Sequence, residues 1–471
     1  MAGLGFNADR VRAAARATPG VAPRVALVRL GCRVSQSDAE AVLEACGARP
    51  PAGGADAVLV STCVVTADAE STALQAVRRA ARDHPGVPIV VIGCAGALLR
   101  RELARLDGVA AVLGPGEVEE AARALVAAVA ARRGAGSGAN GAAGYVDATE
   151  VETSRATAAL LRARPTLKIQ DGCDRRCAYC VVPLARGRSR SMPLAAALER
   201  VEALGRGADE VVLAGVHLGA YGADLRADKP EPGVHGASAR GADGAPPPSL
   251  GALISAIAER RLVHRVRLSS LDPLEVPLEV LSGPAAEIVC GQLHLPLQSG
   301  SARVLARMRR PYSAREVSHV VERISRAMSG ACIAADVMTG FPGETDADHR
   351  ATVELVRALP IAALHVFTFS PRAGTDAATM PDQVPAALAK ERAAELREVS
   401  ARAWMGYVDG LAGREVEAIV ERVAGGEARG TTREGVLARW RVGDEGAPPR
   451  GRAARLRAIA REGEALRCER T

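Results

Sequence analysis

The sequence predicts an α/β protein made of a parallel α/β domain, a parallel α/β barrel and a short all-β segment towards the C-terminal end. Three observations predict it. Short β-branched apolar runs early in the chain stop at Gly or Ser-Thr and lead into helix-forming stretches, the pattern of strands buried on both faces of a parallel sheet. From Pro165 to about residue 408, apolar runs alternate with Ala-, Arg- and Glu-rich amphipathic stretches, the strand-helix order of a parallel barrel. Beyond Gly413, residues 415–421 and 435–441 alternate apolar and polar positions with the period of strands. A chain of 471 residues exceeds what one core supports, so several domains are expected.

Taken in order, residues 1–22 read as a loose Ala/Arg-rich extension and 23–130 as the first α/β domain. Residues 131–150 read as a linker, Gly-, Ala- and Ser-rich over 132–144. Barrel strands are expected at 166–169, 210–213, 266–269, 292–297, 333–339 and 363–369, within a domain spanning 155–408 that carries a flexible Gly/Pro/Ala-rich insertion at 228–248. An Arg- and Glu-rich helix over 385–408 joins it to a last domain at 409–471.

In the first domain the apolar runs at 25–32, 57–63 and 89–94 each end on a cysteine: Cys32, Cys63 and Cys94. Ligand sites of open α/β sheets lie at the carboxyl ends of strands, so these thiols are expected at one edge. A free cysteine is commonly just a small buried residue. Three at equivalent strand ends point instead to ligation. Cys173, Cys177 and Cys180 form a Cys-x3-Cys-x2-Cys loop after the first barrel strand, at the face where barrel chemistry sits. Three thiolates hold three irons of a 4Fe-4S cube, and with no fourth cysteine nearby one iron stays open to a small molecule. A zinc knuckle fits less well, because tetrahedral zinc takes four ligands, usually as two close pairs, and the next cysteines are Cys94 and Cys290. A disulfide fits the spacing less well still.

Together with Leu-Gly-Cys-Arg-Val-Ser-Gln at 30–36, Ser-Thr-Cys-Val-Val-Thr at 61–66, Leu-Ala-Gly-Val-His-Leu-Gly-Ala-Tyr-Gly at 213–222, His-Leu-Pro-Leu-Gln-Ser-Gly at 294–300 and Gly-Phe-Pro-Gly-Glu-Thr at 340–345, these cysteines resemble the methylthiotransferase family over nearly all of residues 24–450. That family comprises radical S-adenosylmethionine enzymes. The resemblance implies two 4Fe-4S clusters, an auxiliary one on Cys32, Cys63 and Cys94 that presents sulfur, and one on Cys173, Cys177 and Cys180 whose open iron binds S-adenosyl-L-methionine. It implies a partial (β/α)6 radical SAM barrel with Gly215, His217, Gln298, Ser299 and Gly340 near S-adenosylmethionine. It further implies a small TRAM-like antiparallel β-barrel that grips RNA, a tRNA anticodon stem-loop as partner, and an electron donor such as flavodoxin or ferredoxin. The chemistry suits a radical, since C2 of adenine carries an unactivated C–H bond that acid-base groups cannot break. Position 37 lies in a loop whose bases can be splayed out and reached.

Within the family, Gly-Cys-Arg-Val-x-Gln and Gly-Val-His-x-Gly-x-Tyr-Gly look most like the branch that acts on N6-threonylcarbamoyladenosine at tRNA position 37. The isopentenyladenosine branch usually reads Gly-Cys-Gln-Met-Asn at the first cysteine, and the ribosomal protein S12 branch Gly-Cys-Pro-Lys-Asn. Arg33 suits the carboxylate of a threonylcarbamoyl group through a bidentate contact, or else packs on the surface. Ser35 and Ser61 depart from the family's usual Asn, although a hydroxyl still donates one bond. A non-catalytic iron-sulfur RNA-binding protein is the alternative of another class.

Net charge is +7, and only Lys168, Lys229 and Lys390 among the 61 basic residues are lysines. A basic balance favours a polyanion such as RNA, and equally describes a solvated basic surface. No apolar run approaches the roughly 18 residues of a membrane span. Ten cysteines with iron-sulfur spacing suit a reducing cytoplasm. Residues 340–345 lack the Lys of a phosphate-binding P-loop. His217, His294 and His365 stand near strand ends, where each either meets cofactor or substrate or plays a structural part. Arg186, Arg188 and Arg190 read as contacts to RNA or to the cofactor carboxylate, or as a solvated turn. Cys46, Cys290, Cys332 and Cys468 match no ligand position and are expected as free thiols.

Overall fold

The computed structural model describes residues 22–51, 53–134, 162–225, 248–443 and 446–471. The extension expected at 1–22, the linker at 131–150 and the insertion at 228–248 lie outside the described residues except at their margins. Residues 131–134 complete the helix Val118–Gly134. The described residues fall into two compact units. One takes residues up to 134 with Gly172–Asp174 and Cys180–Arg188, the other Arg162–Asp171, Arg175–Tyr179 and Ser189–Thr471.

In the first unit β1 (Val25–Arg29), β2 (Ala57–Thr62), β3 (Ile89–Gly93) and β4 (Val109–Leu113) form a parallel sheet in chain order. Successive side chains leave opposite faces. Ala57 and Leu59 therefore join one core, with helices Arg33–Ala45 and Val118–Gly134, while Val58 and Val60 join another with helix Ala67–Asp83. Two covered faces explain the unbroken apolar runs. β4 escapes the sequence reading because its two alanines carry little strand preference.

In the second unit the strands are β5 (Thr166–Asp171), β6 (Arg190–Ser191), β7 (Glu210–Gly215), β8 (Arg265–Leu268), β9 (Gln292–Gln298), β10 (Cys332–Thr339) and β11 (Ile361–Thr368). β5, β7 and β8 pair in parallel with the short β6 antiparallel at the edge, and β9, β10 and β11 form a second parallel sheet. The six expected parallel strands are thus present as two sheets of three. Between them the ladder gives way to the Val266–Val289 bridge, where Cys290 N donates to Val266 O at 2.8 Å. Ser249, Ser301, Ser313 and Thr345 cap helices of this unit, each hydroxyl accepting a backbone N–H. Such a cap stabilises its helix by about 1 kcal/mol.

Helix Ala386–Asp409 leads to a closed barrel of β12 (Glu415–Ala424), β13 (Glu427–Thr432), β14 (Leu437–Arg441), β15 (Ala453–Glu462) and β16 (Ala465–Arg470). Closure removes the free strand edges. Its pairs are antiparallel as expected, except that β14 and β16 run parallel. Val416, Val420, Trp440, Leu456 and Leu466 fill its core.

Buried charge fastens this barrel to the parallel strands. Glu210, at the start of β7, receives Arg265 Nε at 2.8 Å and Arg267 Nε at 2.7 Å. The same guanidinium groups donate onward to Glu417 O at 2.9 Å, Thr431 O at 3.1 Å and Thr432 O at 2.8 Å. Burial alone would raise the Glu210 carboxyl, but Arg267, Arg265 and Arg164 together hold it down at about 2. Its stabilising charge is therefore complete above its ordinary value of 4.5 and is lost as pH falls from there towards 2. Glu210→Gln leaves two buried cations undercompensated, so it should cost about 3–5 kcal/mol. Denaturant unfolding followed by tryptophan fluorescence checks this, and the variant should show a flatter acid dependence than the parent between pH 4.5 and 2.

Candidate active site

Cys32, Cys63 and Cys94 follow the carboxyl ends of β1, β2 and β3. Cys32 is exposed at the N-cap of helix Arg33–Ala45, and Cys63 and Cys94 are buried. Two glycines let the strand ends close up. Gly31 has φ +83°, and a Cβ there would lie 2.9 Å from Cys63 Cβ; Gly93 has φ +116°, and a Cβ there would meet Thr62 O at 2.5 Å. Only glycine takes these conformations in that space. The thiols also feel one another. Burial pushes Cys63 up, with Cys32 adding to it. Burial likewise pushes Cys94 up to about 11, opposed by the Arg186 guanidinium and reinforced by Cys32 and Cys63.

The serines at the Asn positions are built into this edge. Ser35 Oγ donates to Cys32 O at 3.0 Å and stands 3.9 Å from Cys32 Sγ, while Ser61 Oγ donates to Ser35 O at 3.0 Å. Arg33, half-buried, is the first residue of helix Arg33–Ala45.

Cys173, Cys177 and Cys180 lie on the loop after β5 and are all part-exposed. In the first unit Cys173 N donates to Gly187 O at 3.0 Å, and Gly172, at φ +71°, has no room for a Cβ beside Arg188 O. In the second unit Ala178 N donates to Met308 O at 3.0 Å and Arg310 Nη1 to Cys177 Sγ at 3.4 Å. A polar network surrounds that contact. Arg310 also pairs with Asp272 and donates to Tyr312 OH at 2.9 Å; Arg175 reaches Asp272 at 2.5 Å and Glu275 at 2.6 Å; and His217 Nε2 meets Glu275 at 2.7 Å.

The residues expected near S-adenosylmethionine cluster at strand ends of the second unit. Gly215 N donates to Ser269 Oγ at 3.3 Å and His217 N to Gln170 Oε1 at 2.7 Å. Gln298 ends β9 at φ +67°, a left-handed conformation rare outside glycine. Ser299 beside it is fully buried, its hydroxyl engaged with Thr352 at 3.2 Å and with Ser301 N at 3.1 Å, so it shapes the turn that carries Gln298. Gly340, at φ +74°, donates its N–H to Glu344 at 2.7 Å. Lower on β9, β10 and β11, His294 Nε2 lies 2.7 Å and His365 Nδ1 3.6 Å from Asp336 Oδ1. Burial would raise the Asp336 carboxyl, but the two imidazoles hold it low.

Of the three loop arginines, Arg188 is exposed and pairs with Asp174 at 3.3 Å, and Arg190 opens β6. Arg186 departs from every reading offered for it: it is buried, and its Nη2 donates to Asp38 Oδ2 at 3.1 Å. Cys46, Cys290, Cys332 and Cys468 are buried free thiols.

Residues 167–356 match the model of the radical SAM superfamily and residues 24–114 that of the uncharacterized protein family UPF0004. A tRNA-2-methylthio-N(6)-dimethylallyladenosine synthase of Frankia alni is 34% identical over 88% of this chain and 82% of its own length. The threonylcarbamoyladenosine tRNA methylthiotransferase MtaB of Bacillus subtilis is 30% identical over 80% of each chain. The chain belongs to the radical S-adenosylmethionine methylthiotransferases. The structure of the radical S-adenosylmethionine methyltransferase TsrM from Kitasatospora setae, with cobalamin and a [4Fe-4S] cluster bound, covers 86% of this chain and 80% of that one at a TM-score of 0.51 and 15% identity, a likeness of fold.

Methylthiotransferases use S-adenosylmethionine and carry two 4Fe-4S clusters. The donor set of this methylthiotransferase fits them: two groups of three thiols outside any disulfide, with Cys32, Cys63 and Cys94 brought to one edge at Gly31 and Gly93, where a Cβ would not fit. Sequence reasoning missed Asp38, Arg175, Asp272, Glu275, Arg310 and Tyr312. The signal available was Asp-Pro-Leu-Glu at 272–275, a short turn after β8, and Arg-Arg-Pro-Tyr at 309–312, in the turn between helices Ala302–Arg307 and Ala314–Ala327.

Because Gly93 sets this edge, Gly93→Ala in cluster-free methylthiotransferase should expose Cys94. An alanine held at φ +116° and ψ −166°, a region essentially confined to glycine, costs about 1–3 kcal/mol before any overlap with Thr62 O. Alkylation of Cys94 should quicken while that of Cys468, deep in the closed barrel, stays slow; equal Cys94 rates in parent and variant would contradict the crowding.

Proposed function

We propose that this methylthiotransferase adds a methylthio group to C2 of N6-threonylcarbamoyladenosine at position 37 of tRNA, in a reducing cytoplasm. In this reading Cys32, Cys63 and Cys94 hold the auxiliary cluster, and Cys173, Cys177 and Cys180 hold the radical SAM cluster. Gly215, His217, Gln298, Ser299 and Gly340 border S-adenosylmethionine, and an electron donor such as flavodoxin or ferredoxin supplies the electron. When bound, the clusters and S-adenosylmethionine supply the radical, the sulfur and the methyl group. The chain's own share is to hold the two thiol sets, keep Cys63 and Cys94 from water, and orient the base.

The observation that carries the substrate is Arg33. It directly follows Cys32 and begins helix Arg33–Ala45, so its guanidinium starts from the edge where the thiols gather. A guanidinium fork there suits a carboxylate and discriminates against an apolar dimethylallyl chain. Arg439, Arg455, Arg457 and Arg467 stand exposed at alternate positions on the closed barrel, an outer face suited to RNA phosphates. The dimethylallyladenosine reading keeps its support from relatives such as that of Frankia alni.

Anaerobically reconstituted protein should hold about eight irons, two cubes by the thiolate count. Replacing Cys173, Cys177 and Cys180 together with Ala should remove about half and abolish 5′-deoxyadenosine formation. Replacing Cys32, Cys63 and Cys94 should leave that cleavage measurable but eliminate methylthio transfer. Iron unchanged by either triple substitution would sink the ligand assignment.

On purified anticodon stem-loops, the threonylcarbamoyl form should be methylthiolated and the dimethylallyl form not. Arg33→Gln should weaken turnover by about tenfold, the loss of one charge-assisted contact of about 1.5–3 kcal/mol. Efficient reaction of the dimethylallyl loop alone would overturn the substrate.

A further inference from the structure

Arg186 is buried to 4% exposure and its ion-pair partner Asp38 is fully buried. Asp38 sits on helix Arg33–Ala45, which begins beside Cys32. While one edge of the guanidinium holds Asp38, its positive charge also acts on the Cys94 and Cys63 thiols, against the upward push of burial. Packing fixes this position. Val181, which caps the helix Val182–Arg186, and Ala185 within it share an apolar core with Val64, Cys94 and Ala95. The helix Val182–Arg186 lies against the helix Cys94–Leu98.

A buried ion pair is poor evidence of a stability role, since apolar residues of the same volume often serve as well or better. The surroundings supply a different reason. Three thiolates and an added sulfur make an anionic site whose Cys63 and Cys94 side is buried, and an anion there needs a nearby cation. We propose that Arg186 is the built-in countercharge of the Cys32–Cys63–Cys94 site, a positioning residue held by Asp38 that favours the more negative, reduced and sulfide-bearing forms of the cluster. The inference rests on the proposed ligation by those three cysteines. Its geometry requires arginine: a planar fork binds a carboxylate on one edge and a sulfur on another, whereas a lysine ammonium is a single point charge.

The test uses the full chain carrying Cys173→Ala, Cys177→Ala and Cys180→Ala, which isolates the other cluster. Into this background go either Asp38→Asn with Arg186→Gln, a neutral pair of similar shape that avoids stranding one buried charge, or Arg186→Lys. The reduction potential is followed by electron paramagnetic resonance in a mediated titration, and hydrosulfide affinity by the change it makes in that signal. In the neutral pair the one-electron equilibrium should move about tenfold towards the oxidised form and hydrosulfide should bind about tenfold more weakly. Arg186→Lys should fall between parent and neutral pair. Iron lost from the neutral pair but kept by Arg186→Lys would likewise support a need for charge. Potential and affinity unmoved in the neutral pair, or iron lost equally from both variants, would reduce Arg186 to a packing element and overturn the inference. A background protein holding no iron would instead refute ligation by Cys32, Cys63 and Cys94, and the inference with it.

Discussion

Parallel, in-register pairing of strands is the constraint from which the chemistry of both units follows. When β1, β2 and β3 run the same way and Thr62 pairs with Gly93, segments about 30 residues apart in the chain leave the sheet along one edge. Whatever side chain follows each strand then meets its counterparts. Cysteine follows all three. The same rule places Gly215, Gln298 and Gly340 at strand ends of the second unit, where Ser269 and Glu344 accept the N–H groups of the two glycines. Close approach must still be possible, and at Gly31 and Gly93 it depends on the missing Cβ. A methyl group at either position would separate the thiols before any question of iron arose.

Much of this was legible in the sequence because it is local. A strand buried on both faces writes itself as an apolar run, a strand end as Gly or Ser-Thr, and a cluster loop as close cysteine spacing, so β1, β2, β3, the six parallel strands and both thiol sets could be found from residues adjacent in the chain. What stayed hidden depends on pairing across long separations. Asp38 and Arg186 lie 148 residues apart, and Arg175 and Glu275 lie 100 apart. No spacing rule links such partners. An arginine in a Gly- and Ser-rich stretch reads as a solvated turn until the fold shows what it touches. The division of the six strands into two sheets and the parallel β14–β16 pair were hidden for the same reason, since both are matters of register rather than of pattern.

The scarcity of aromatic residues gives the buried arginines a larger part. With four Phe, five Tyr and two Trp in 471 residues, the interior is mostly Ala, Val and Leu, which fill space but fix few directions. Fork-shaped donors supply direction. Arg265 and Arg267 converge on Glu210 and carry their remaining hydrogens to the carbonyls of Thr431 and Thr432, so the closed barrel is held in one orientation by hydrogen bonds that a slipped arrangement would leave unmade. Such a seam costs desolvation, and what it gains is specificity of placement, the best-attested use of buried charge.

The same device recurs at the thiols. Arg186 lies against Cys94 and is anchored by Asp38; Arg310 donates to Cys177 Sγ at 3.4 Å and is anchored by Asp272. In each case a carboxylate takes part of the guanidinium while its positive charge acts on a thiol. A cysteine thiol alone would be served by a backbone N–H, and burying a full cation beside it would be costly. Two carboxylate-anchored arginines, each against a thiol of a different set, make sense when the thiol becomes part of a larger anion. The buried cation is then the more stable arrangement once that anion is in place.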